Sequence, residues 1–305
     1  MSDQVADSFT SSLEKPGTAR LQDVMRKKEY AHTWVRGIET IWDFYFEVFG
    51  QRQSRFAKWL LSCDRIALDC YRTSYLGLAV ARSIPAPPPF SYVATGFSPA
   101  TFRRGTPLKR LGKQLNPFPL IQLPYHRLVN PWTLGGVLHE VSHNLQNDLS
   151  LARGPEATLY YSGRGPHPTP YLRMLINAEL PRRMGFETES RQIRKAWMRI
   201  YPNPSSGNMP VELLKTFNEA CRVAVDAICY QPDESLGNRS LAKVLNFGPK
   251  EEQMIEEASR RLAAGTDPGI IPERFLIGAV RLALDRRHAR PEVLTTNFYK
   301  ALASG

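Results

Sequence analysis

Four prolines within residues 85–89 of "IPAPPPF" stop any helix outright, because each fixes φ and removes a backbone donor. The run divides a 305-residue chain into parts of different character. Before it, from residue 29 to about 82, apolar residues recur at helical spacing through "TWVRGIETIWDFYFEVFG" and "FAKWLLSCDRIALDCYRTSYLGLAVARS". Two long helices are expected there, with a break near Gly50. After the prolines come two short strand-like runs, "FSYVATGF" at 90–97 and "FPLIQLPYHRL" at 118–128, separated by a basic, glycine-containing loop. A small sheet is implied, and prolines in such runs favour edge positions.

A loop rich in Gly and Pro, "ARGPEATLYYSGRGPHPTP", follows residue 149. Helical patterns then occupy 171–184, 187–200, 211–230, 251–264 and 272–287. The expected fold is α+β and predominantly helical: a small sheet, a helix packed on it, and a bundle of C-terminal helices. Residues 1–24 read as a disordered polar tail, 25–86 as an N-terminal helical region and 87–305 as the main domain.

Hydrophobic residues at 42% and charged residues at 23% suit a globular chain long enough to bury a large core. No stretch approaches the roughly 18 uninterrupted apolar residues of a membrane span, and no secretory signal opens the sequence. The expected setting is cytoplasmic. Cys63 and Cys70, and Cys221 and Cys229, lie seven and eight apart in helical segments, beyond disulfide reach, so reduced thiols are expected. A formal charge of +11 leaves room for an anionic partner. The surplus falls in three stretches (Arg103 to Lys113, Arg182 to Arg199, Arg286 to Arg290) with no nucleic-acid-binding motif beside them, which reads as solvated surface.

The chemistry concentrates in "NPWTLGGVLHEVSHNLQNDL", residues 130–149. Asn130 can cap a helix with Pro131 at its first position. Leu134, Leu138, Val141 and Leu145 fall on one stripe of that helix, and His139 and His143 share a face away from it. Imidazoles four apart can both reach one tetrahedral ion, and Glu140 points toward the water position as general base. Composition alone would give His-Glu-x-x-His in roughly one such chain in a hundred, so a metal site outweighs two hydrogen-bonded structural histidines. Gly135 and Gly136, costly inside a helix, imply that something approaches it closely.

The motif His139-Glu140-Val141-Ser142-His143 resembles that of the zincin metallopeptidases, whose core is a small sheet, an HExxH helix and a later helix giving a third ligand. The resemblance covers roughly residues 90–230 and implies Zn²⁺ as cofactor, hydrolysis by metal-activated water, and a protein or peptide substrate. The run 118–128 stands where zincins carry the edge strand that pairs with an extended substrate. No histidine stands at the metzincin position, where Leu149 is found, and this points to a gluzincin-like carboxylate. Asn218-Glu219-Ala220 resembles the start of the gluzincin helix, which implies Glu219 as third ligand; Asp226, seven residues on, is the alternative. Glu156, Glu179, Glu187 and Glu189 are outside candidates. For the oxyanion, His167 and Tyr161 are leads, with Tyr160 and Tyr230 also available. The rival expectation is a catalytically inactive zincin-like scaffold that binds a protein or nucleic-acid partner.

Overall fold

The computed structural model describes residues 7, 17–78, 87–108, 111, 115–149, 170–200, 211–232, 237–244 and 247–304. Within them the protein is predominantly helical with one three-stranded sheet. Helix α1 spans Gly17–Gly50 and α2 spans Ala57–Leu78, joined by a 3₁₀ turn at Gln51–Gln53. The first helix therefore starts inside the stretch read as a polar tail, and the break near Gly50 is where periodicity placed it.

Strands β1 (Phe90–Ala94), β2 (Ala100–Phe102) and β3 (Leu120–Pro124) form the sheet in the order β1-β3-β2. β1 runs parallel to β3, with Phe90 opposite Leu120, and β2 runs antiparallel to it, with Thr101 opposite Ile121. The run at 118–128 is thus central, which corrects the expectation of an edge strand. Leu120, Ile121 and Leu123 are all fully buried, as a strand covered on both faces requires. Pro124 is tolerated because it closes the strand, and the chain continues as a short helix, α3 (Tyr125–Val129).

The outer edge of β1 is occupied by a side chain. The Gln51 amide donates to the Val93 carbonyl at 2.9 Å and accepts from its N–H at 2.7 Å, as a neighbouring strand would. Arg52 donates to Asp64 at 2.5 Å and to the Ser91 carbonyl at 2.9 Å, while the Ser91 N–H donates to Asp64 at 2.6 Å. The start of β1 is thereby tied to α2. The outer edge of β2 pairs with no other strand among the described residues.

Pro131–Thr133 form a 3₁₀ turn, and the motif helix α4 runs from Gly135 to Asp148. Asn130 and Pro131 therefore open the turn and not the α-helix. The Asn130 amide donates to the His126 carbonyl at 2.7 Å and does not cap α4. Beyond it lie α5 (Pro170–Arg183), α6 (Glu187–Ile200), α7 (Val211–Val225) running into a π-turn at Asp226–Tyr230, α8 (Leu241–Val244), α9 (Pro249–Ala263), α10 (Glu273–Leu284) and α11 (Pro291–Ser304).

One hydrophobic cluster joins α2 (Leu60, Ile66, Tyr71), β3, α4 (Val137, Val141) and helices α9 to α11. One terminal guanidinium nitrogen of Arg274 on α10 donates to both carboxylate oxygens of Asp69 on α2 at 2.9–3.0 Å, and the Tyr299 hydroxyl donates to the Leu128 carbonyl. A second cluster packs Phe44 and Val48 of α1 on Tyr92 and Leu120 of the sheet. All four cysteines are free thiols. No helix among the described residues is long and apolar enough to cross a membrane.

Candidate metal centre

Helix α4 sits against the sheet on its β2 side. The Asn144 amide donates to the Thr101 hydroxyl and, at 3.0 Å, to the Glu140 carbonyl one turn back. Asn147 donates to the Arg104 carbonyl at 3.1 Å, and Asp148 accepts from the Tyr71 hydroxyl at 3.0 Å. The side chain facing α4 at its first turn is Pro99. A Cβ added to Gly136 would lie 2.7 Å from Pro99 Cγ, whereas one added to Gly135 would meet nothing within 4 Å. The close approach expected from the glycine pair is made at Gly136 alone.

Val137 and Val141 are fully buried, as are Leu134 just before the helix and Asn144 within it, while Leu138 and Leu145 are only partly buried. The buried face is therefore rotated toward β2 relative to the apolar stripe read from sequence. Glu140 consequently lies inside, 7% exposed. Burial raises its proton affinity above that of an ordinary carboxylate, and the charge of Arg103 pulls it partly back.

His139 and His143 meet through their Nε2 atoms, 3.1 Å apart, with ring planes at 85°. Two imidazole nitrogens at about 2.0–2.1 Å from one tetrahedral ion stand roughly 3.3 Å apart, so this donor pair fits a shared Zn²⁺. The same distance also suits an N–H···N hydrogen bond between one donor and one acceptor tautomer.

A cleft of about 480 Å³ opens beside the pair, lined on one wall by Glu140 and His143 and on the other by residues 99–103 and 106–108. Arg103 stands in the turn after β2, whose shape is set by buried Asn116. Its amide donates to the carbonyls of Phe102 and Arg103, both at 3.1 Å, and its own oxygen accepts from the Tyr45 hydroxyl at 3.0 Å. Gly105, at φ +72°, supplies the left-handed residue that this turn needs.

The other expected site residues fall elsewhere. Glu219 is on α7 with its side chain 72% exposed, 3.6 Å from Arg222. Asp226 pairs with Arg183 at 2.7 Å, and Glu179 is buried against Arg182 and Arg183. Among the described residues, no group of three or more His, Cys, Asp or Glu side chains is placed to hold a metal, so none of these carboxylates joins the histidine pair. Glu187 and Glu189 occupy the first turn of α6. The Tyr230 ring lies under Arg183, 5.3 Å from the guanidinium carbon. His167, Tyr160, Tyr161 and Glu156 lie outside the described residues.

Thr101 and Asn144 were missed from sequence, and Arg103 was read only as part of a solvated basic stretch. The β-favouring pair Thr101-Phe102 was the available signal for a strand beside the motif helix. Several residues of the basic stretches turn out to have acidic partners within the fold: Arg104 with Asp148, Arg183 with Asp226 and Arg286 with Glu256. Comparison with protein-family models, with characterised proteins and with solved structures finds no match to this chain.

Proposed function

We propose that this protein is a zinc-dependent metallopeptidase with a zincin-like core, in which His139 and His143 hold the metal and Glu140 is the general base. The observation that carries the reading is the 3.1 Å approach of the two Nε2 atoms on the helix that also buries Glu140. When bound, Zn²⁺ supplies a Lewis acid that polarises a carbonyl and brings the pKa of water toward about 7. The chain's own residues do the rest. Glu140, its proton affinity raised by burial, is suited to take a proton from water and return it to the leaving amine. The charge of Arg103 opposes that shift and favours the carboxylate form. The outer edge of β2, which pairs with no other strand among the described residues, runs along the same cleft and would offer backbone donors and acceptors to an extended peptide.

Under this reading the third ligand is Glu219 if α7 closes on α4, with Asp226 as its alternative, and His167 and Tyr161 serve the oxyanion. In the cytoplasm such an enzyme requires narrow or regulated substrate choice. A catalytically inactive scaffold, binding a protein or nucleic-acid partner, is favoured by one observation: Glu219 and Asp226 are each engaged by an arginine.

Zinc content of the purified chain is expected near one equivalent and should be lost in a His139→Ala, His143→Ala double variant; unchanged zinc in that variant overturns the metal reading. Incubated with a peptide library, the zinc-loaded protein should generate new amino termini, and Glu140→Gln should keep the zinc and lower cleavage about a hundredfold or more. Equal cleavage by wild type and Glu140→Gln overturns the enzyme reading and leaves the scaffold.

A further inference from the structure

Helix α1 has two apolar faces, and among the described residues only one is packed inside the molecule. Phe44 and Val48 are buried on the sheet. The opposite face carries Leu21, Met25, Val35, Ile38, Trp42 and Phe46, which are 48–68% exposed. At the α-helical period these six fall within an arc of about 140°, and Trp42 and Phe46 already stack, with centroids 6.5 Å apart and planes at 21°. Steps of four and three residues lead from Leu21 to Phe46 along a single seam, the repeat of a coiled coil, with Ile38 flanking it. Three seam positions are polar: Lys28, His32 and Glu39.

Those polar positions discriminate between pairings. Two copies of α1 side by side in parallel would set Lys28 against Lys28 and Glu39 against Glu39. An antiparallel pair can instead set Leu21 against Phe46, Met25 against Trp42 and Lys28 against Glu39, each contact occurring twice about a two-fold axis. Sliding by one heptad loses this match, since Lys28 would then face Phe46, or Leu21 would face Glu39. At roughly 100 Å² for each exposed apolar side chain, six from each copy bury roughly 1,200 Å², which reaches the range of stable interfaces before the ion pairs and flanking stems are counted.

We propose that the exposed face of α1 is a homodimer interface, in which a second copy of this chain docks its own α1 antiparallel in the Leu21–Phe46, Met25–Trp42, Lys28–Glu39 register. The dimer is self-complementary because the seam is basic toward one end and acidic toward the other. The two-fold axis passes between His32 and Val35, the seam residues that face each other at its centre. The inference is independent of the metal site.

Sedimentation equilibrium of the full chain at micromolar concentration is expected to return twice its 34.6 kDa mass. Trp42→Glu should return the monomer mass. Lys28→Glu and Glu39→Lys should each weaken dimerisation about tenfold or more, and combining them should restore it, because the swapped charges still face each other. All three positions are exposed, so helix content by circular dichroism should stay at the wild-type value in every variant. A monomeric wild type overturns the proposal, as does a dimer whose mass is insensitive to Trp42→Glu and to both charge reversals. A double variant no tighter than the single ones overturns the antiparallel register.

Discussion

Glu140 and Glu179 are both buried, 7% and 2% exposed, yet their proton affinities move in opposite directions. Desolvation dominates at Glu140. At Glu179 the hydrogen bonds from Arg182 dominate: Nε and a terminal nitrogen donate to its two oxygens at 2.8 and 2.6 Å, and Arg183 adds a third bond at 3.1 Å. Its pKa is pushed down to about 2 by this ion cluster within α5. A carboxylate with a depressed folded-state pKa contributes stability above its unfolded value, near 4.5, and loses it as pH falls toward about 2. Glu179→Gln should therefore destabilise the fold by about 2 kcal/mol at pH 7, from lost charge-assisted hydrogen bonds, with the gap to wild type narrowing as the pH falls below 4.5. Urea titrations at neutral and acidic pH check this; a gap that is the same at both would mean the ion cluster is not its source.

At the scale of elements, the contact between α4 and the loop before β2 sets the width of the cleft. Gly136→Ala would drive a methyl group into Pro99 and should cost about 1–3 kcal/mol while displacing the wall opposite His143. Gly135→Ala meets open space and should be neutral or stabilising by up to about 1 kcal/mol. Thermal unfolding of the two variants distinguishes them, and equal effects would show that helix propensity, not packing, governs this turn. The sequence made legible what local periodicity encodes: the long helices, the HExxH face and the presence of a small sheet. It left obscure what depends on distant partners. β2 is three residues long and is a strand only because β3 pairs with it. Glu140 is buried because β2 lies over a face that the apolar stripe alone leaves open. Glu219 sits in a helical pattern that was read as such, but nothing in "FNEAC" says toward what α7 presents it. For α11 the signal was present, since Leu294, Phe298 and Leu302 recur every four residues, but the charged break "DRRHARPE" ended the helical reading before it.

For the whole molecule, the cluster joining α2, β3, α4 and the last three helices couples the far C-terminus to the motif helix. Phe298 and Leu294 of α11 are fully buried in that cluster, in which Leu60 and Ile66 of α2 and Val137 and Val141 of α4 also lie. A chain organised this way should unfold as one unit, because no buried face of α4 is complete without α2, and α2 in turn is covered by α10 and α11. Phe298→Ala should cost about 3–5 kcal/mol, a large share of the roughly 5–15 kcal/mol that holds a typical domain folded. Its effect should reach the motif helix: slow amide exchange in α4 should speed up in step with that in α11, and the urea midpoints by tryptophan fluorescence and far-ultraviolet circular dichroism should fall together at constant slope. Loss of protection in α11 with α4 unchanged would instead divide the chain into separately stable units, and would detach the C-terminal helices from any part in positioning His139, Glu140 and His143.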